Sequence, residues 1–208
     1  MKKIIILFAA VVLITVKSTA QVKIAAKAGW NFASAKATYS NVKQPTDFVF
    51  GYGIGALAKV PFDGVLNFSP SVMLNKRGFI VKPINGTNKK EQYTITYLDL
   101  IPSLSVDFPV KGNFFVISLG PDFGFTNFGK IKATDNNNIT TSEKLKFGYS
   151  NYGWFDLGLN ASIGFHMKKV FVEAGYLHGL ASINNNEEND QRNIQNRMLS
   201  LNIGYYFR

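Results

Sequence analysis

Residues 155–166 read Phe-Asp-Leu-Gly-Leu-Asn-Ala-Ser-Ile-Gly-Phe-His. In an extended chain Phe155, Leu157, Leu159, Ala161, Ile163 and Phe165 share one face. Asp156, Gly158, Asn160, Ser162, Gly164 and His166 share the other. Successive side chains of a strand point to opposite faces, so this alternation predicts a strand with one apolar and one polar side. The closing segment repeats it, with Leu199, Leu201, Ile203, Tyr205 and Phe207 opposite Ser200, Asn202, Gly204 and Tyr206. Working outward, the same period runs through 22–33, 48–60, 65–77, 93–108, 114–126 and, less cleanly, 170–182. That makes eight strands. Connections at 61–64, 109–113 and 166–169 are short. Those at about 35–47, 80–91, 127–150 and 184–196 read as long and polar. Alternating short and long connections predict an antiparallel up-and-down meander of one domain.

Charge decides which face is inside. A soluble barrel is apolar within, whereas a membrane barrel turns its apolar side chains outward. One face of nearly every strand carries almost no charge and is bounded by aromatics: Trp30, Phe32, Phe48, Phe50, Phe108, Phe123, Phe125 and Phe165. Aromatic belts mark lipid–water interfaces. The other face mixes Gly, Ser and Asn with Lys23, Lys27, Lys59, Arg77, Asp99, Asp107, Asp122, Asp156 and Glu173. These charges are expected to pair across a narrow lumen, because buried charges persist only when partnered. Strands of this length cross a hydrocarbon layer, which needs about 9–11 tilted residues.

Met1-Lys2-Lys3, the apolar run Ile4 to Val16 and Ser18-Thr19-Ala20 have the anatomy of a secretory signal peptide, with cleavage after Ala20. The fold class is therefore all-β: a signal peptide over 1–20, then an eight-stranded antiparallel up-and-down transmembrane β-barrel over 21–208. The expected location is the outer membrane, with both termini periplasmic and the long loops extracellular. The 208 residues include no cysteine, which excludes disulfides, thiol chemistry and Cys-ligated metals. The net charge of +10 is scattered, without the basic patch that nucleic acid requires. Neither His166 nor His178 has metal-ligand spacing, and the GxGxxA string from Gly53 to Ala58 lies inside a strand rather than before a helix. No cofactor is expected.

Tyr97-Leu98-Asp99-Leu100-Ile101-Pro102 resembles the Tyr-Leu-Glu-Ile-Pro signature of the PorT-like outer-membrane β-barrel family of Bacteroidetes. Phe114–Phe125 resembles its Gly-Pro strand, Trp154–Leu180 its Gly-rich hairpin, and Met198–Phe207 its closing strand. Here Arg208 follows the final aromatic, and Gly175 stands where a basic residue is common. The resemblance implies an integral outer-membrane barrel, and some relatives serve type IX secretion.

The expected function is non-enzymatic: a barrel with a plugged polar interior, structural or binding partners through its extracellular loops. One alternative is an accessory role in type IX protein secretion. Another is a lipid-modifying barrel enzyme using His178 with Ser182. A soluble secreted barrel holding an apolar ligand is the reading from another class. Expected partners are outer-membrane lipid, the barrel-assembly machinery and envelope or secretion proteins. Leu199, Leu201, Ile203, Tyr205 and Phe207 resemble the C-terminal signal that such machinery reads.

Overall fold

A computed structural model describes residues 22–82, 90–135, 139–186 and 190–207, apart from the side chain of Asn127. Residues 1–20, expected to be a signal peptide, and the Asn-rich 136–138 lie outside the described residues. Ten strands form one antiparallel sheet: β1 (Lys23–Tyr39), β2 (Val42–Gln44), β3 (Thr46–Asp63), β4 (Leu66–Val81), β5 (Lys90–Val110), β6 (Asn113–Thr134), β7 (Thr140–Lys144), β8 (Phe155–His166), β9 (Val170–Gly179) and β10 (Asn193–Tyr206). Eight of them make the barrel, in the order β10-β9-β8-β6-β5-β4-β3-β1. The ring closes where β1 pairs with β10, from Ala25↔Tyr206 to Thr38↔Asn193. Closure leaves no open sheet edge around the wall, the requirement for backbone in hydrocarbon.

The apolar faces point outward. Leu104, Ile117, Leu119, Ile163, Leu201 and Ile203 are exposed, whereas Asp99, Asp122, Asp156 and Ser105 are buried in the lumen. This is the inverse of a soluble core and describes a membrane-spanning barrel. The outward aromatics gather in two groups. Phe108, Phe115 and Phe165 are cross-strand neighbours near the end that carries both ends of the barrel. Phe32 meets Phe50 edge-on at 5.5 Å, and Phe125 lies 5.5 Å from Phe155 and 6.1 Å from Trp154, nearer the long-loop end.

Three features differ from the sequence reading. The strands are longer, up to 22 residues in β6, and rise well past the lipid-facing stretch. The expected loop over 35–47 is largely a hairpin. β1 runs to Tyr39, and Ser40 and Asn41, both at positive φ (46° and 63°), return the chain into β2. Two positive-φ residues make the turn whose twist matches paired strands. Lys111 and Gly112 (φ 47° and 82°) do the same between β5 and β6. Third, the register of β5 with β6 shifts between Thr96 and Leu98. The extra residue lies in β6, near Thr126, so Phe128, Lys130 and Lys132 are exposed on even positions where Phe123 and Phe125 faced out on odd ones.

Leu119 is 52% exposed and sits outward between Leu104 and Ala161, midway between the aromatic groups. Leu119→Arg is expected to destabilise the barrel by about 2–4 kcal/mol in urea unfolding from phosphatidylcholine vesicles. An unchanged midpoint would contradict the outward placement.

Candidate functional site

The lumen is layered. At mid-height Arg77 from β4 pairs with Asp99 of β5 and lies 3.9 Å from Asp122 of β6 and 3.5 Å from Asp156 of β8. Its guanidinium lies 4.2 Å from the centre of the Tyr97 ring. Amides complete the layer. Asn75 Nδ2 donates to Asp99 at 2.6 Å and Asn31 Nδ2 to Asn75 at 3.0 Å. Asn196 Nδ2 donates to Asp156 at 2.8 Å and to Tyr97 Oη at 3.2 Å. These side chains reach in from β1, β4, β5, β6, β8 and β10. Together they fill the cross-section, since eight strands leave room for little more than side chains.

Toward the termini the lumen is a narrow polar cavity, with Ser71, Ser103, Ser118 and Ser162 on its wall. Ser69 and Ser105 bond to each other there at 2.6 Å. Below it Lys27 pairs with Glu173 at 3.4 Å and Lys59 with Asp107 at 2.5 Å. His166 Nδ1 lies 2.8 Å from Tyr206 Oη, its Nε2 lies 3.3 Å from Glu173, and Phe171 stacks on its ring at 4.7 Å. Lys23 departs from the expected pairing. It is exposed at the mouth, beside the rings of Phe114 and Tyr206, and makes no ion pair among the described residues.

Toward the long loops the lumen is not polar, unlike the polar interior expected from the sequence. Ala35, Ala37, Phe79, Val81, Tyr93, Ile95, Ile183 and Ile194 form a buried apolar cluster above Arg77. Phe79 stacks on Tyr93 at 4.6 Å. The physical reason is length. β4 and β5 continue past the charged layer, and their inward positions become aromatic and aliphatic where apolar packing can seal the mouth. Ile183 enters this plug from the segment after β9, outside any strand. That segment is tied down by Asn184, whose Nδ2 donates to the carbonyls of Asp190 and Arg192 at 2.6 and 2.7 Å. Arg192 donates to Asp190, to Glu91 at 3.0 Å and to Tyr93 Oη at 3.0 Å. Burial opposes the charge of Arg192, yet the bonds to Asp190 and the surrounding field outweigh it and raise its pKa. Burial also pushes the Tyr152 phenol up to about 12.

The pair expected of an enzyme does not form. Ser182 Oγ accepts from the backbone of Asn184 and of Ile194, while His178 Nδ1 lies 3.4 Å from Tyr176 Oη. No group of His, Asp and Glu suited to a metal occurs among the described residues. Residues that the sequence reading left out of the lumen network are Asn31, Asn75, Tyr97, His166, Asn196 and Tyr206. Their signal was strand parity, because each falls on the inward-facing side of its strand. Of the proposed C-terminal signal, Leu199, Leu201, Ile203, Tyr205 and Phe207 are all exposed outward along the closing edge.

Arg77→Ala leaves three buried carboxylates without their cation. It should cost about 3–5 kcal/mol in urea unfolding from vesicles. Asp122→Asn should be neutral or stabilising, because Asp122 is the most distant of the three and its Oδ2 has no hydrogen bond. Equal losses in both variants would contradict the central role of Arg77.

Solved structures similar to this chain include Ail, the attachment invasion locus protein of Yersinia pestis (12% identity, 89% of this chain and 98% of that one, TM-score 0.48). Neisserial surface protein A (13%, 90% and 99%, 0.43) and OprG of Pseudomonas aeruginosa (12%, 89% and 96%, 0.43) are also similar. No curated protein matches the chain. The outer membrane protein beta-barrel domain model matches residues 17–185. The closed, inverted barrel is the architecture that this match requires, and the chain belongs to the outer membrane protein beta-barrel domain family.

Proposed function

We propose that this outer-membrane barrel is non-enzymatic and works through the surface at its long-loop end, with the lumen serving as a structural plug. In this reading the termini face the periplasm, the long loops lie outside, and residues 1–20 direct export before being cleaved off after Ala20. The motif at Tyr97–Pro102 supports a narrower kinship with the PorT-like barrels of Bacteroidetes. Assembly would begin with recognition of the closing strand, and the partners would be envelope or secretion proteins.

The observation that carries this reading is occlusion. Arg77, Tyr97, Asp99 and Asp122 are almost wholly buried at mid-height, and the apolar cluster of Phe79, Tyr93 and Ile194 seals the same lumen above them. A solute would have to displace both layers. The long-loop end, by contrast, presents side chains such as Tyr149, 93% exposed, and Ile139, 61% exposed.

Two measurements test the proposal. In planar bilayers the purified full chain should show no unitary conductance steps, and reproducible steps would contradict the plug. A photo-crosslinker at Tyr149 in cells should give a discrete adduct that one at Lys111 does not. Matching adducts at Lys111 alone would place the working surface at the opposite end.

A further inference from the structure

Beyond the bulge near Thr126, strand β6 and strand β7 form a hairpin with two unlike faces. Gly129, Ile131, Leu145 and Phe147 point inward. A Cβ built on Gly129 would meet Leu145 and Phe147, and Ile131, Leu145 and Phe147 pack on the apolar plug. The hairpin is thereby anchored rather than free. By alternation the other face carries Phe128, Lys130, Lys132, Lys144 and Lys146, all exposed.

These lysines are placed against each other. Lys130 stands directly opposite Lys144 in the ladder, with Lys132 opposite Ser142. Like charges facing across a ladder destabilise it. Across β5, Lys130 and Lys132 meet Thr94 and Gln92, which bring no negative charge. Glu143 is opposite Ile131, on the inward parity. Among the described residues none of the four lysines has an ion-pair partner. Four unneutralised cations held at fixed spacing make a site for an anion.

Height identifies the anion. The lysines follow directly on Phe128, which is 75% exposed, and on the outward aromatic group of Phe125, Trp154 and Phe155. Aromatic groups of this kind lie at the membrane interface, so the lysines stand at headgroup level or just above it.

We propose that the outward face of the β6–β7 hairpin binds the phosphate headgroups of anionic lipid in the leaflet that the long loops face. Lys130, Lys132, Lys144 and Lys146 neutralise the phosphates, while Phe128 enters the acyl boundary beneath them. The proposal rests on the membrane-spanning placement of the barrel and is independent of which protein partners the loops have.

The test uses the full chain in neutral dodecyl maltoside micelles, titrated with fluorescent short-chain phosphatidic acid and, for comparison, fluorescent phosphatidylcholine. The variant K130Q/K132Q/K144Q/K146Q should bind phosphatidic acid about tenfold or more weakly. The variant K43Q/K111Q/K168Q/K169Q removes the same charge from exposed sites elsewhere and should change binding by less than about twofold. Should the first variant lose its barrel circular dichroism, K130Q/K144Q carries the test with an expected loss of about threefold. Equal losses in the two fourfold variants, or no preference for phosphatidic acid over phosphatidylcholine, would overturn the site. Full displacement by equimolar soluble tripolyphosphate would overturn a membrane lipid as its occupant.

Discussion

Backbone pairing in hydrocarbon is the constraint on which this structure depends. Each N–H and C=O without a partner there costs several kcal/mol, so the sheet must close on itself. The β1–β10 ladder, from Ala25↔Tyr206 to Thr38↔Asn193, performs that closure. Closure with eight strands then fixes the lumen at the width of a few side chains. A lumen so narrow cannot hold a water column wide enough to solvate scattered charges. It has to be filled by groups that satisfy one another, and Arg77 with its aspartates and amides is the result.

The filling changes with height because the surroundings change. At mid-height a guanidinium can serve several acceptors at once, and its planar fork suits carboxylates. Toward the termini Lys27, Glu173, His166 and Tyr206 form a second polar layer near the mouth. Toward the long loops the wall is uneven. β8 begins at Phe155 and β9 ends at Gly179, while β5 and β6 run 21 and 22 residues. The chain covers the low side with Tyr152 and Ile183, which join the apolar cluster, and with Arg192 tied to Glu91 and Tyr93. Ile131, Leu145 and Phe147 pack on this cluster, which is what positions the outward face of the hairpin.

Much of this was legible in the sequence. Alternation in 155–166 and 199–207 gave each strand's two faces, and the lack of charge among Leu104, Leu119 and Ile163 gave the inverted polarity. Pairing of Lys27, Lys59 and Arg77 with acids from other strands followed from the burial of charge. The rest was hidden for identifiable reasons. Ser40 and Asn41 form a two-residue turn by adopting positive φ, a choice that strand pairing rather than composition enforces. The bulge near Thr126 reverses parity, and no residue type announces it. Phe79, Val81 and Ile95 sit on the inward face because the strands outrun the charged layer, which a two-letter polar and apolar pattern does not distinguish from a lipid-facing run. Ile183 reaches the plug from a loop, where periodicity has no meaning. Lys23 stands directly opposite Lys59 in the ladder, and Lys59 takes Asp107, so the exposed Lys23 is left without an acid to pair with.

The central claim is the inverted polarity of the closed wall. The chain has no cysteine, so single cysteines can be placed at each position from Phe115 to Phe125 and spin-labelled in phosphatidylcholine bilayers. Collision with oxygen, which concentrates in acyl chains, should peak at 115, 117, 119, 121, 123 and 125 and fall at the residues between them. Maxima at 116, 118, 120, 122 and 124, or an accessibility without a period of two, would contradict it.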